Sequence, residues 1–152
     1  MCCTRAASAL SERFSTVQRV RFGDLDAMQH MNNVEFLRFF ETARIDYILQ
    51  LSPEHAPTER RQFGFIFAEC HISYRAPAFF GDVIRTYIWP SELKRSSLRL
   101  AFEMRAERDD RLVADGWGTL VGYDYGAGEP RPIPDVLRER IEPQIPAPDA
   151  VG

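Results

Sequence analysis

The chain has 152 residues, of which 45% are hydrophobic and 27% charged, and this composition is typical of one globular domain with a real core. The formal net charge of −3 argues against a general nucleic-acid binder, because such a protein needs a basic surface to neutralise phosphates. No apolar run is long enough to span a membrane, and the three cysteines form neither a disulfide framework nor a metal-ligand pattern, so we expect a cytoplasmic protein with no membrane or nucleic-acid partner.

The first third of the chain predicts a strand, a loop and a long helix. Residues 1–11 are expected to form a loose leader. Alternating polar and apolar side chains predict a strand over residues 13–22. A polar loop over residues 23–31 then leads to a predicted helix over residues 32–51, and two prolines mark a connection over residues 52–61.

Four more strands are predicted, over residues 63–74, 82–89, 97–106 and 111–124. The mixed parity of the first predicts a bulge, Pro90 is expected to close the second, and the third alternates most cleanly. A short helix over residues 135–141, capped by Asp135, precedes a proline-rich tail that we expect to be disordered. The order predicts an α+β domain over residues 12–142, followed by a tail over residues 143–152.

The predicted helix has a capped start and two charges on its apolar side. Asn32 is a suitable cap, and Glu35 can reach back to it in a capping box. On a helical wheel, Glu41 and Arg44 fall within the apolar arc, three residues apart, and can pair with each other. We interpret them as a structural ion pair or a subunit contact; the alternative is that one of them lines a pocket.

The loop before this helix is dense in polar groups, and it has two interpretations. It can be a solvated loop whose side chains bond to their own backbone. It can also be a reactive site, because free N–H groups at a helix start polarise a carbonyl and a nearby carboxylate can act as base or nucleophile. The polar residues are Arg21, Asp24, Asp26, Gln29, His30, Asn32 and Asn33.

Three segments closely resemble the hotdog-fold acyl-CoA thioesterases of the 4-hydroxybenzoyl-CoA thioesterase type. They are Arg-Phe-Gly-Asp-Leu-Asp-Ala at 21–27, His-Met-Asn-Asn at 30–33 and Phe-Phe-Glu-Thr-Ala-Arg at 39–44. The turns around Tyr74-Arg75-Ala76-Pro77 and Gly81-Asp82 match as well, as does Ile133-Pro134. The resemblance implies a hotdog fold, in which a curved antiparallel sheet wraps one long helix. It also implies a homodimer or homotetramer with active sites at the subunit interface.

The resemblance also implies roles for individual residues. Asp26 matches the catalytic aspartate, a nucleophile or general base toward the thioester, and the backbone N–H of Asn33 matches the group that polarises the thioester carbonyl. His30 and Asn32 match the motif and are expected to orient the site, while Asp24 is expected to shape the loop. Gln29 stands where the family often has glycine, so it is expected to narrow the substrate site or add a hydrogen bond.

The expected activity is hydrolysis of an acyl-CoA thioester to a carboxylic acid and free CoA. We expect no metal and no cofactor, since CoA is itself part of the substrate. Lys94, Arg95 and Ser96 resemble the basic position that contacts the nucleotide of CoA; the alternative is a solvated turn. Two further functions stay open: hydrolysis of acyl-carrier-protein thioesters, and acyl-CoA binding without catalysis. A serine hydrolase is disfavoured because the sequence lacks a Gly-x-Ser-x-Gly elbow.

Overall fold

The computed structural model describes residues 9–53 and 63–148. Strand β1 covers Phe14–Arg19, a 3₁₀ turn follows at Phe22–Asp24, and helix α1 spans Asn33–Leu51. Four longer strands come next: β2 (Phe63–Tyr74), β3 (Val83–Leu93), β4 (Ser97–Ala106) and β5 (Arg111–Asp124). The short strand β6 (Glu129–Pro130), helix α2 (Asp135–Ile141) and a 3₁₀ turn (Glu142–Gln144) follow.

The strands form one antiparallel sheet in the order β1-β3-β4-β5-β2, with β6 paired to the end of β5. The register shifts between Phe67 and Glu69 in β2 and between Pro90 and Glu92 in β3. Bulges of this kind bend a strand and increase its twist, which helps the sheet to curl around α1. The bulge predicted in β2 is therefore confirmed.

Helix α1 packs into the concave side of this sheet. Its Phe40 ring stacks on Phe102 of β4 with a centroid distance of 4.4 Å. Gly118 of β5 leaves room for this contact, because a Cβ atom there would lie 2.6 Å from Phe40 Cε1. The inward side chains of β4 are at most 1% exposed: Leu98, Leu100, Phe102 and Met104. The predicted fold class, a curved antiparallel sheet around one long helix, is confirmed.

The end predicted for β3 and the cap predicted for α2 are wrong. Pro90 does not end β3, which continues to Leu93. The neighbouring β1 pairs with β3 only as far as Ile88, so Pro90 occupies a stretch with one free edge, where a missing N–H breaks no ladder. Asp135 does not cap α2: Pro134 holds the cap position without a side-chain bond, and Asp135 is the first helical residue. Strand β1 is also shorter than predicted.

The C-terminal turn packs against α1. The hydroxyl of the buried Tyr47 donates to Gln144 Oε1 at 2.9 Å, so the described chain keeps its contacts beyond residue 142. The predicted leader falls largely on residues 1–8, which lie outside the described residues, as do residues 149–152 of the predicted tail. In the described ranges, no helix has the length and apolarity needed to cross a membrane.

Candidate active site

The loop between β1 and α1 is closed by a buried aspartate. Asp24 is 3% exposed, and it accepts bonds from the Arg21 backbone N–H at 2.8 Å and from Arg21 Nη2 at 3.2 Å. Burial alone would raise the pKa of Asp24, but the bonds from Arg21 hold that pKa below its ordinary value. Asp24 therefore stays ionised in the folded loop and holds the loop backbone in place, which fits the shaping role expected for it.

The same residue ties the loop to the start of α1. The Asn32 N–H donates to the carbonyl of Asp24 at 2.8 Å, and the Asn32 side chain accepts from Val34 N–H at 3.1 Å. Asn32 is therefore the cap, as its position suggests. The reciprocal half of the predicted capping box is wrong, because Asp24 and not Glu35 receives the Asn32 N–H. The Glu35 carboxylate instead lies 3.7 Å from Arg38.

Asp26 lies at the tip of a tight turn that its own groups hold together. Its N–H donates to the carbonyl of His30 at 2.9 Å, and its Oδ1 accepts from the N–H groups of Met28 at 2.8 Å and His30 at 3.4 Å. Both side-chain bonds end on Oδ1, so within the described part of the chain Oδ2 has no bond. The carboxylate is exposed and oriented by its backbone neighbours. One oxygen is thus left free to act as a base or nucleophile.

Gln29 completes this turn in a left-handed conformation, with φ of +63°. Its N–H donates to the carbonyl of Asp26 at 3.0 Å, and its side chain is exposed. Glycine adopts this conformation without steric cost, whereas glutamine does not. The local backbone therefore explains a preference for glycine at this position without any close approach of substrate.

Asn33 is the first residue of α1 and is exposed. The N–H groups of a first helical turn have no partner inside the helix, and the helix dipole places partial positive charge there. No acceptor among the described residues faces the Asn33 N–H. The Asn32 N–H bonds to the carbonyl of Asp24, so the Asn33 N–H lies next to the base of the loop that carries Asp26.

His30 lies beside Asp26 but does not bond to it through its ring. The half-buried imidazole packs edge-on against Phe79, with centroids 5.5 Å apart, and the two residues form a backbone bridge. The contact to the Asp26 carboxylate comes from the His30 backbone N–H. In this structure His30 orients the turn through its backbone, while its ring packs against the loop before β3.

The site contains two positioning contacts that the sequence did not single out. The Tyr74 hydroxyl, at the end of β2, donates to the carbonyl of Asn33 at 3.1 Å. Asp82 accepts from the Phe79 N–H at 2.9 Å and from Arg111 Nη2 at 3.0 Å, and so holds the loop that supports His30. Both residues belong to turns that carried the resemblance, but only the structure connects those turns to the helix start.

The residues predicted to contact the phosphates of CoA, Lys94, Arg95 and Ser96, lie far from Asp26 in this subunit. Residues 94–96 form the β3–β4 turn, whereas the Asp26 loop contacts the chain just before β3. Strand β3 has 11 residues, so these two ends are about 33 Å apart along it. The carbonyls of Lys94 and Arg95 accept from Arg138 at 2.7 and 3.2 Å, and the carbonyl of Ser96 accepts from Gly122. The structure does not bring Lys94, Arg95 and Ser96 to Asp26.

Glu41 and Arg44 form the predicted ion pair, with 3.5 Å between their charged groups. The Glu41 side chain is 59% exposed and that of Arg44 only 13%. The Arg44 guanidinium lies 4.0 Å from the centre of the Phe67 ring. Burial lowers the pKa of Arg44, and the Glu41 carboxylate partly offsets this effect. The pair supports the helix and does not reach the Asp26 turn.

The lining of the cleft at the far end of α1 does not include Asp26, and the described residues form no metal centre there. A cleft of about 810 Å³ lies at the opposite end of α1 and is lined in part by Tyr47 and Leu51. Across residues 9–53 and 63–148, no group of three or more His, Cys, Asp and Glu side chains could hold a metal ion. Among the described residues, the groups that this site leaves without a bond are one Asp26 carboxylate oxygen and the Asn33 N–H.

Comparisons with known proteins identify the family of the chain. The sequence profile of the thioesterase-like superfamily matches residues 20–141. Long-chain acyl-CoA thioesterase FadM of Escherichia coli (strain K12) is 29% identical over 127 residues, covering 84% of this chain and 96% of FadM. Acyl-CoA thioesterase YbgC of Haemophilus influenzae is 27% identical over 130 residues, covering 85% of this chain and 94% of YbgC.

A solved thioesterase from Thermus thermophilus, complexed with coenzyme A and zinc, is 35% identical, with a TM-score of 0.72. The match covers 84% of this chain and 96% of that protein. The profile, the relatives and the shared fold agree over the same region, which includes the Asp26 turn and α1. The chain therefore belongs to the thioesterase-like superfamily.

Proposed function

We propose that this protein hydrolyses an acyl-CoA thioester to a carboxylic acid and free CoA, with Asp26 as the reacting carboxylate. The observation that carries the proposal is that two groups, Asp26 Oδ2 in the loop and the Asn33 N–H at the start of α1, have no bond among the described residues. The names of the curated relatives, both acyl-CoA thioesterases, support the substrate class.

The reaction follows from this geometry. The thioester carbonyl accepts a hydrogen bond from the Asn33 N–H, which stabilises the negative charge that develops on its oxygen. As general base, Asp26 takes a proton from water, the water oxygen attacks the carbonyl carbon, and the C–S bond breaks. The CoA thiolate then recovers the proton from Asp26. As nucleophile, Asp26 attacks the carbonyl carbon, and the C–S bond breaks to release the CoA thiolate. Water then cleaves the resulting anhydride, which frees the acid and the Asp26 carboxylate, and the thiolate takes up the proton that the water gives up.

The neighbours of Asp26 have supporting roles in this proposal. Asn32 caps α1 and so fixes the direction of the Asn33 N–H. The His30 backbone fixes the Asp26 carboxylate. Gln29 closes the turn through its N–H, and we expect its exposed side chain to narrow the substrate site. No cofactor is required, because the substrate carries its own CoA group.

We further propose that the site is completed in a homodimer or homotetramer. Strand β2 is 12 residues long and lies at the edge of the sheet, paired on one side only with β5. A long free edge is a template for a second strand. The predicted phosphate contacts at Lys94, Arg95 and Ser96 can serve Asp26 only if a second subunit carries them there. A cytoplasmic location stays a prediction from the sequence.

The decisive experiment replaces one oxygen of the reacting group. Asn at position 26 keeps an acceptor for the Met28 N–H, so we expect Asp26→Asn to fold normally and to lose about 10²–10⁴ in kcat. Asp46→Asn is the matched control, because Asp46 is an exposed carboxylate on the far part of α1. Thiol release from a panel of short, long and aromatic acyl-CoAs is the assay. Full activity in Asp26→Asn would overturn the assignment.

A further inference from the structure

The β2–β3 loop, residues 75–82, contacts the Asp26 turn through its backbone. His30 and Phe79 form a backbone bridge, and the Met31 N–H donates to a carbonyl of the loop at 2.8 Å. His30 is also the residue whose N–H donates to Asp26 Oδ1, over 3.4 Å. Because this bond is already long, a small shift of the loop would break it. The position of the loop therefore affects how the Asp26 carboxylate is held.

One buried carboxylate fixes the shape of this loop. Asp82 is 6% exposed, and its Oδ2 accepts from the Phe79 N–H at 2.9 Å. The carbonyl of Asp82 accepts from the Val20 N–H at 2.8 Å, which ties the loop to the chain after β1. A buried charge is costly unless a cation pairs with it, and Arg111 Nη2 lies 3.0 Å from the same Oδ2. We therefore expect the shape of the loop to depend on Arg111.

Arg111 joins this loop to the β4–β5 turn. Its Nη2 also donates to the carbonyl of Pro77 at 3.3 Å, and its Nη1 donates to a carboxylate of that turn. Its guanidinium carbon lies 5.7 Å from the centre of the Phe79 ring, and the Phe79 ring packs edge-on against His30. The planar guanidinium makes these contacts together, because its N–H groups point in fixed directions. Arg111 is thus linked to His30 through both the Asp82 carboxylate and the Phe79 ring.

Arg111 differs from the other arginine beside Asp82. Arg108 lies 3.7 Å from Asp82 Oδ1, but its side chain is 69% exposed, and such pairs contribute little. The Arg111 side chain is 24% exposed, and its Nε is buried without a partner among the described residues. An unsatisfied buried donor costs stability, so the advantage of an arginine here lies in the fork that holds the loop.

We propose that Arg111 is a positioning residue for the Asp26 carboxylate; the proposal rests on the thioesterase function above. The link runs through Asp82 and Phe79 to the His30 backbone, which donates to Asp26. Misplacement of a reacting group by about 1 Å can lower the rate by about 10²-fold, even when the substrate still binds. Loss of Arg111 should therefore lower kcat and leave KM nearly unchanged.

The first experiment measures thiol release from acyl-CoA by Arg111→Met, Arg111→Lys and the control Arg108→Met. In Arg111→Met the bond from the Met28 N–H to Asp26 remains, so we expect kcat to fall about tenfold and KM to change less than about twofold. Lysine keeps the charge beside Asp82 but lacks the planar fork, so its kcat should be intermediate. Arg108→Met should keep the wild-type kcat, because its ion pair is exposed.

A double-mutant cycle separates positioning from loss of stability. If Arg111 acts through Asp26, then Arg111→Met in the Asp26→Asn background should lower Tm as it does in the wild type but should not lower the residual kcat further. A further tenfold loss in that background would overturn the proposal, as would a wild-type kcat in Arg111→Met. If Arg111→Met does not fold, the double variant Arg111→Met, Asp82→Asn takes its place with the same expected loss of kcat, because it leaves no unpaired buried charge.

Proton NMR of the histidine rings tests the link without a substrate. The His30 ring packs against Phe79, so Arg111→Met should shift the His30 resonances and leave those of His71, which stacks on Trp117, unchanged. Unchanged His30 resonances overturn the proposal. If the wild type hydrolyses no acyl-CoA, the proposed function fails, and a shift of the His30 resonances alone still supports the link from Arg111 to the Asp26 turn.

Discussion

The turn that presents Asp26 contains a strained residue, and substitution of that residue should raise stability measurably. Gln29 adopts φ of +63°, which costs an L-residue about 1–2 kcal/mol. Glycine avoids this cost but loses about 0.4–1 kcal/mol through the greater freedom of the unfolded chain. Gln29→Gly should therefore increase the free energy of unfolding by about 0.5–1 kcal/mol, or raise Tm by about 1–4 °C for a domain of this size.

Two control variants separate backbone strain from side-chain effects. Gln29→Ala keeps the strained φ, so it should leave Tm unchanged. Asp110 also has a positive φ, of +55°, but aspartate tolerates this region better than glutamine, so Asp110→Gly should give a smaller gain. Thermal unfolding, monitored by circular dichroism, gives the Tm of each variant. Equal Tm values for Gln29→Gly and Gln29→Ala would refute the strain argument, because only the glycine variant relieves the positive φ.

Two further predictions concern the groups around the turn. Because bonds from Arg21 lower the pKa of Asp24, its contribution to stability is complete above about pH 4, the unfolded value, and is lost as pH falls toward the folded value. In urea unfolding from about pH 3 to pH 6, Asp24→Asn should therefore flatten the acid side of the stability curve, and a curve parallel to wild type would contradict this. Tyr74→Phe removes the bond to the Asn33 carbonyl and should lower kcat about two- to tenfold with little change in KM or Tm. Tyr125→Phe, at the other end of the sheet, is its control, and equal kcat in both variants would exclude the positioning role.

The parts of the fold that the sequence predicted well are those that burial alone determines. Strand β4 has one face against α1, so its side chains alternate with period two and its limits follow directly. Helix α1 has a wide buried face and a polar cap, and both signals lie within its own residues. The Asp26 turn was located for the same local reason, since its polar groups bond mainly to each other.

The parts that the sequence missed depend on residues far apart in the chain. Pro90 is tolerated in β3 because β1 begins only at Phe14, opposite Ile88, and so does not pair with Pro90. The residues around Pro90 in the sequence carry no sign of this. The link from Tyr74 to Asn33 crosses 41 residues, so neither segment reveals it alone. Gln29 was interpreted as a change in substrate contact because a missing glycine does not by itself distinguish backbone conformation from close approach.

The two groups proposed to react, the Asp26 carboxylate and the Asn33 N–H, are exposed on the surface of the single subunit, and this has a consequence for the proposed catalysis. An oxyanion donor is much more effective where water is excluded, yet Asp26 and Asn33 are both exposed. The apolar residues around them are exposed as well: Met28 is 75% and Val34 56% exposed. Something must therefore cover this surface during turnover, either a partner subunit or the acyl-CoA itself. The free edge of β2 favours a partner subunit.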